Sequence, residues 1–442
     1  MKHQIDIMLN KFKLIILLVI LSACKSNPTE VIDETPIQSE TKPNILLIIA
    51  DDLGKDAMPN FSEGLIKPQT PNLNSLMNSG ITFDNFWSYP VCTPTRASIL
   101  TGKYGIKTNV IEVGDVISTN ETSLQQYIKN NGSDYASAII GKWHLSNNAQ
   151  DPITMGVDYY AGILNGGVPS YTNWNLTENG STSNTTEYTT SKLVDLSADW
   201  VGNQTKPWFL WLAFNAPHTP FHLAPTNLHS QGNLPTDQNS IDANPLPYYM
   251  SAIEAMDSEI GRLLNSLSTE ERNNTVIIFI GDNGSPGQVV QTPYQRQRAK
   301  GSLFQGGINV PLFVSGYGVN RVGDRENALV QSSDLFATIA QIAGSSTSSI
   351  NNSTSFMDLF TSSTNSNQNT FVYAEAIDNT GAVGYTIRNL KHKLIKYNNG
   401  TERFYDLEND PYEGTNLLNS SLTVDQQNAL NILEAEATSI RN

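Results

Sequence analysis

Cysteine is nearly missing from this chain: Cys24 and Cys92 are the only two among 442 residues, so at most one disulfide could form. Positive charge is also scarce. Lys and Arg number 27 against 42 Asp and Glu, which gives a formal net charge of −15. A nucleic-acid binder needs a basic face for phosphates, so that class is excluded, and any polyanionic partner must be met by a local basic pocket. Long apolar runs are missing too: the run at 14–21 is too short to span a bilayer. What the chain does have is length enough for a large core in two or three units.

Lys11 and Lys13, the apolar run and Ser22-Ala23-Cys24 read together as a signal peptide over 1–24. Leu21-Ser22-Ala23-Cys24 resembles a bacterial lipobox, which implies an exported protein held in the cell envelope, at the periplasm or outer membrane, by a lipid on Cys24. A plain secretory signal with a chance cysteine is the alternative. A lipidated Cys24 cannot pair with Cys92. Residues 25–42, rich in Ser, Thr, Glu and Pro, read as a flexible tether.

Continuous apolar runs of strand length then recur at 44–50, 136–140, 208–214, 275–280 and 310–314. Such runs mark strands covered on both faces, and helical spacing between them, at 72–79 and 248–267, predicts an α/β domain over 43–345 with a large, mostly parallel or mixed sheet flanked by helices. Polar groups follow four of the runs: Asp51-Asp52, Lys142-Trp143-His144, Asn215-Ala216-Pro217-His218 and Asp282-Asn283. Ligands of open α/β sheets bind beyond the carboxyl ends of strands, so these groups are expected on one rim. Residues 165–190 and 226–247, rich in polar residues, are expected as surface insertions. Beyond 345, short alternating runs at 371–376, 384–390, 393–397 and 403–407 and a helical stretch at 424–440 predict a smaller antiparallel sheet with a terminal helix over 346–442.

Cys92-Thr93-Pro94-Thr95-Arg96 opens a helical stretch. Pro94 suits a first turn and Thr93 can cap it, so Cys92 is expected at a helix N-terminus, where orphan N–H groups favour an anion, with Arg96 one turn in. A half-buried cysteine before an ordinary helix is the plain alternative. Asp51, Asp52, Asp282 and Asn283 offer hard oxygen donors that suit calcium better than zinc. His218 and His222, four apart, could instead mark a transition-metal site, but Pro217 and Pro220 oppose a regular helix there.

The pattern Cys-x-Pro-x-Arg followed by Leu100-Thr101-Gly102 resembles the signature of type I sulfatases, in the alkaline phosphatase superfamily, whose cysteine is oxidised to formylglycine by a maturating enzyme. The resemblance extends to 44–54, to Gly141-Lys142-Trp143-His144, to Ala216-Pro217-His218, to Gly281-Asp282-Asn283-Gly284 and to Lys300-Gly301, although Gln305 stands where Glu is common. It implies one calcium ion held by Asp51, Asp52, Asp282, Asn283 and the modified Cys92. Asn283 favours one metal, because related phosphatases with two metals place His there.

The resemblance further implies a hydrated aldehyde at position 92 that attacks sulfur through one hydroxyl and expels sulfate through the other. Arg96 and Lys142 would steady it, His144 would take the proton, His218 would act as general acid, and Lys300 would bind a sulfate oxygen. Lys103 is a further candidate, and Arg296 and Arg298 could grip a second anionic group or simply be solvated. A sulfated oligo- or polysaccharide is the expected substrate. A phosphate or phosphonate ester hydrolase of the same superfamily is one alternative; a sulfated-glycan-binding lipoprotein without activity is another, if Cys92 stays a thiol.

Overall fold

The computed structural model describes residues 42–363, 369–377 and 381–442. The leader, Cys24 and the tether up to residue 41 lie outside the described residues. The first apolar run forms β1 (Asn44–Ala50), buried throughout. Ile45, Leu47 and Ile49 enter one core and Leu46, Ile48 and Ala50 the other, as a strand covered on both faces requires.

In chain order follow β2 (Gly80–Phe83), β3 (Phe86–Trp87), β4 (Ala136–Lys142), β5 (Tyr159–Ile163), β6 (Trp174–Glu178), β7 (Ser181–Thr185), β8 (Trp208–Ala213), β9 (Thr275–Gly281), β10 (Leu312–Gly316) and β11 (Arg325–Glu326). All but β3 make one ten-stranded sheet in the order β11-β2-β10-β9-β1-β8-β4-β5-β6-β7. Its centre, from β9 through β1, β8 and β4 to β5, is parallel. β3 pairs instead with β12 (Val330–Gln331), and β13 (Ser349–Ile350) with β14 (Ser353–Thr354).

The sheet is mixed, as expected, and one segment departs from the sequence expectations. β10 runs antiparallel to β9, so its beginning lies at the carboxyl end of the parallel strands. The loop before it, which carries Lys300, is thereby delivered to the same rim. The segment at 165–190 is not a simple surface insertion: β6 and β7 form a hairpin that extends the sheet edge. Trp174 is buried there and its indole N–H donates to the Glu187 carbonyl at 2.9 Å. Residues 226–245 are irregular apart from the helix Gln238–Ala243, and the long helix Leu246–Ser266 begins just after them.

Helices cover the sheet. Leu246–Ser266 is the longest, and Pro71–Asn78 begins with proline at its first position. The helix Cys92–Thr101 is buried along all ten residues. Among the described residues, no helix is long and apolar enough to cross a membrane. The second sheet is antiparallel in the order β15 (Val372–Ile377), β16 (Val383–Arg388), β17 (His392–Tyr397) and β18 (Glu402–Asp406). Leu430, Leu433 and Ala437 of the helix Val424–Arg441 pack on Tyr373, Ile387, Leu394 and Phe404. Burial of each leucine contributes about 1.5–3 kcal/mol.

Candidate active site

The parallel strands end together, and the chain turns sharply where they do. Asp52 and His144 lie in the left-handed backbone region, with φ of 68° and 54°. Such conformations cost of order 1–3 kcal/mol and persist where surrounding structure enforces them. Asp282 N–H continues the ladder by donating to the Ala50 carbonyl at 3.0 Å, and Asp51 N–H donates to the Ala216 carbonyl at 3.1 Å. Three strand ends are thus locked in register beside one another.

Side chains then converge. Lys142 Nζ lies 2.5 Å from Asp51 Oδ2, Arg96 donates to Asp282 Oδ2 at 2.7 Å and to the Lys142 carbonyl at 2.8 Å, and Lys300 reaches Asp52 at 2.6 Å. Asn283 Nδ2 donates to Asp52 Oδ1 at 2.8 Å. His144 Nδ1 lies 3.2 Å from Cys92 Sγ, and His218 Nε2 lies 3.8 Å from Asp52 Oδ2. His218 Nδ1 is 2.7 Å from the Thr219 carbonyl, an acceptor only, so Nδ1 carries hydrogen and Nε2 faces the carboxylates. Every residue expected at the centre of the site is therefore on this rim.

The charges are buried and mutually dependent. Burial opposes ionisation of Asp51, yet Lys142, His218, Arg96 and Lys300 outweigh it and hold the carboxyl below the ordinary carboxylate range. Burial and the neighbouring Asp51 push Asp282 up to about 6. Burial, then Lys142 and Arg96, press His144 down to about 2, so it is a neutral acceptor. Burial also raises the Cys92 thiol, which stays protonated and poorly nucleophilic.

A divalent cation fits this arrangement. Asp51 Oδ1 and Asn283 Oδ1 are buried without a hydrogen-bond partner. Ligand atoms of Asp51, Cys92 and Asp282 lie within 4.8 Å of one another. Three carboxylates are balanced by Arg96, Lys142 and Lys300, so a bound divalent ion leaves the rim with excess positive charge, an anion pocket in an acidic protein. Oxygen donors suit calcium; the thiol of Cys92 is the one mismatched ligand.

Some secondary expectations need correction. Thr93 does not cap its helix: Val91 is the cap residue, without a side-chain bond, and the Thr93 hydroxyl lies 3.4 Å from both His144 ring nitrogens. Lys103 pairs with Glu121 at 2.6 Å, half-buried. Arg298 donates to the Glu413 carbonyl and covers the Phe304 ring, while Arg296 is exposed. As Pro217 and Pro220 led us to expect, the paired-histidine metal site is not formed: His222 stacks on Tyr171 and its Nε2 meets the Tyr188 hydroxyl at 3.0 Å. Gln305 accepts from the Trp87 indole at 3.0 Å and has no part in the rim.

Two other site residues, Tyr171 and Gly166, went unread in the sequence, whereas Asn215 was expected on the rim. The Tyr171 hydroxyl reaches the His218 carbonyl at 2.7 Å and anchors that loop. Asn215 is buried with both amide atoms unpartnered. Gly166 abuts His144 so closely that a Cβ there would lie 2.6 Å from the ring. The Gly166-Gly167 pair was the available signal for a close approach.

The fold and rim together are consistent with an α/β protein of the alkaline phosphatase-like class. The sulfatase family profile matches residues 43–345, and the profile of the N-sulphoglucosamine sulphohydrolase C-terminal region matches residues 298–437. The chain belongs to the sulfatase family. It is 28% identical to the uncharacterized sulfatase YdeN of Escherichia coli (strain K12), over 73% of this chain and 66% of the relative. It is also 28% identical to N-acetylgalactosamine-6-sulfatase of Homo sapiens, over 68% and 62%. The chain thus spans less than two thirds of these relatives' length. The crystal structure of Ps i-CgsB in complex with k-i-k-neocarrahexaose superposes with a TM-score of 0.75 at 25% identity, covering 89% of this chain and 92% of the other. BT4656 in complex with its substrate D-glucosamine-2-N,6-O-disulfate shares the fold, with a TM-score of 0.74 at 20% identity, covering 91% and 98%.

Proposed function

We propose that this protein hydrolyses the sulfuric ester of a carbohydrate, with formylglycine at position 92 and one calcium ion held by Asp51, Asp52, Asp282, Asn283 and that residue. The observation that carries the reading is the pair of buried, unpartnered oxygens of Asp51 and Asn283, with Asp51 and Asp282 grouped around Cys92. Oxidation at 92 would replace the one soft ligand by oxygen and make the donor set uniform. When bound, calcium would acidify that oxygen and offset charge on the sulfate. Formylglycine, as its hydrate, supplies two hydroxyls on one carbon, one for substitution at sulfur and one for sulfate release.

The remaining steps belong to side chains already in place. Lys142 and Arg96, fixed on Asp51 and Asp282, hold positive charge beside position 92. His144, neutral and 3.2 Å from the atom at 92, accepts its proton. With a proton on Nε2 as well as on Nδ1, His218 would present Nε2–H toward the departing alcohol oxygen and give it that proton as the sulfur–oxygen bond breaks. Lys300, reaching across Asp52, binds a sulfate oxygen.

The carbohydrate substrate is supported by similar proteins: an N-acetylgalactosamine-6-sulfatase, Ps i-CgsB bound to k-i-k-neocarrahexaose, and BT4656 bound to D-glucosamine-2-N,6-O-disulfate. Lipid anchoring at Cys24 and export to the bacterial envelope rest on the lipobox alone; palmitate labelling lost in Cys24→Ala would support them.

The test is paired turnover of an aryl sulfate and an aryl phosphate by protein from a host that carries the maturating enzyme, with the peptide containing Cys92 weighed by mass spectrometry. Conversion at 92 and preference for sulfate are expected. A preference for phosphate, or an intact thiol in all of an active preparation, contradicts the reading.

A further inference from the structure

Beside the rim lies a cleft of about 410 Å3, bounded by the segment after β5 and by the β6–β7 hairpin. Small-ligand sites occupy about 300–1,000 Å3. Resting on the sulfatase reading above, we infer that this cleft is the subsite for an uncharged, hydroxyl-rich sugar residue joined to the sulfated one.

Position comes first. The short segment that lines the cleft also touches the reacting histidines: Gly166 abuts His144, and a Cβ at Gly167 would lie 3.4 Å from His218 Cε1. His218 faces the leaving oxygen, so the rest of the alcohol continues on this side.

Chemistry comes second. Asn147, Asn165 and Asn175 line the cleft with Thr182, over an apolar patch of Val168 and Pro169. The three asparagines are exposed, and each amide offers a donor and an acceptor, matching hydroxyls that are both. Val168 and Pro169 suit the C–H face of a pyranose ring. No charged side chain lines the cleft. A carboxylate or a second sulfate placed there would lose water without gaining a counter-charge, in contrast to the cationic rim a few residues away.

The experiment uses the full chain with conversion at 92 verified, and four probes: an aryl sulfate, a sulfated galactose, and disaccharides in which that galactose carries a neutral hexose or a hexuronic acid. Wild-type kcat/KM is expected to be about tenfold higher for the neutral disaccharide than for the hexuronate one. Asn147→Ala/Asn175→Ala should lose about tenfold on the neutral disaccharide, through KM, while aryl sulfate turnover stays within about twofold. Asn175→Lys should move preference toward the hexuronate. Preference of the wild type for hexuronate, equal effects of the variants on aryl sulfate and disaccharide, or no effect at all each overturns the inference and leaves the sulfatase reading standing; aryl sulfate turnover with no saccharide turnover overturns the inference together with the carbohydrate part of that reading. No turnover of any probe overturns both.

Discussion

Two buried charge clusters in this molecule are built to opposite rules. At the joint between the main domain and the second sheet, Lys393 donates to Glu413 at 2.6 Å and to the Leu303 carbonyl at 2.7 Å, and sits 4.9 Å over the Trp87 ring. The other Glu413 oxygen accepts the Gln305 N–H at 2.7 Å. Every strong valence there is used. At the rim, Asp51 Oδ1, Asn283 Oδ1 and Arg96 Nε are buried and unused. Both clusters even share backbone strain, since Asp52, His144 and Glu413 are the residues other than glycine and asparagine with positive φ among the described residues. Strain and buried charge therefore do not mark function by themselves; what separates these two clusters is valence left over on convergent charged groups. A closed cluster has nothing more to bind, whereas an open one has valence that an ion and a substrate could fill.

The sharpest way to separate the two is Cys92→Ala, which should remove at least about 10⁴-fold of sulfate-ester turnover while shifting the melting temperature little. Turnover and a melting scan on the same preparation check this. The mirror experiment is Glu413→Ala. It strands Lys393 in a dry site and should cost about 3–5 kcal/mol in urea unfolding, with turnover per folded molecule unchanged. A smaller effect is expected where packing meets chemistry: Gly166→Ala pushes a methyl into His144 and should lower kcat about 10–100-fold.

The smallest effect is a pH slope at the joint. Burial, opposed by Glu413, pushes the Lys393 amine down to about 8 from the ordinary 10.5. Between these values the unfolded chain holds the proton and the native one does not. Stability should therefore rise with pH across 8 to 10.5, by at most about 1.4 kcal/mol per pH unit, and the penalty of the buried charge is fully present below 8. Urea midpoints at several pH values in wild type and Lys393→Met check it, since the variant should lack this contribution.

Much of this was legible in sequence, for physical reasons. β1, β4, β8 and β9 are buried on both faces, so they read as unbroken apolar runs, and carboxylates after β1 and β9 stood out against them. The second sheet showed through its alternation. β7 did not, because four of its residues, Ser181 to Asn184, are exposed and none is apolar. Strands of two residues, such as β11 and β12, carry no periodicity at all. Thr93 was misread because a hydroxyl that could cap a helix can equally face a histidine from the loop after β4. Tyr171 and Gly166 act through contacts with residues far along the chain, which spacing cannot reveal.

The central claim is that the open valences of the rim hold a cation. Calorimetric titration of Ca²⁺ into the metal-free, matured protein and into Asn283→Ala tests it most directly. One site per chain in the wild type, markedly weakened in a variant that melts normally, is the predicted result. No calcium binding by the wild type, or binding unchanged in the variant, would contradict it.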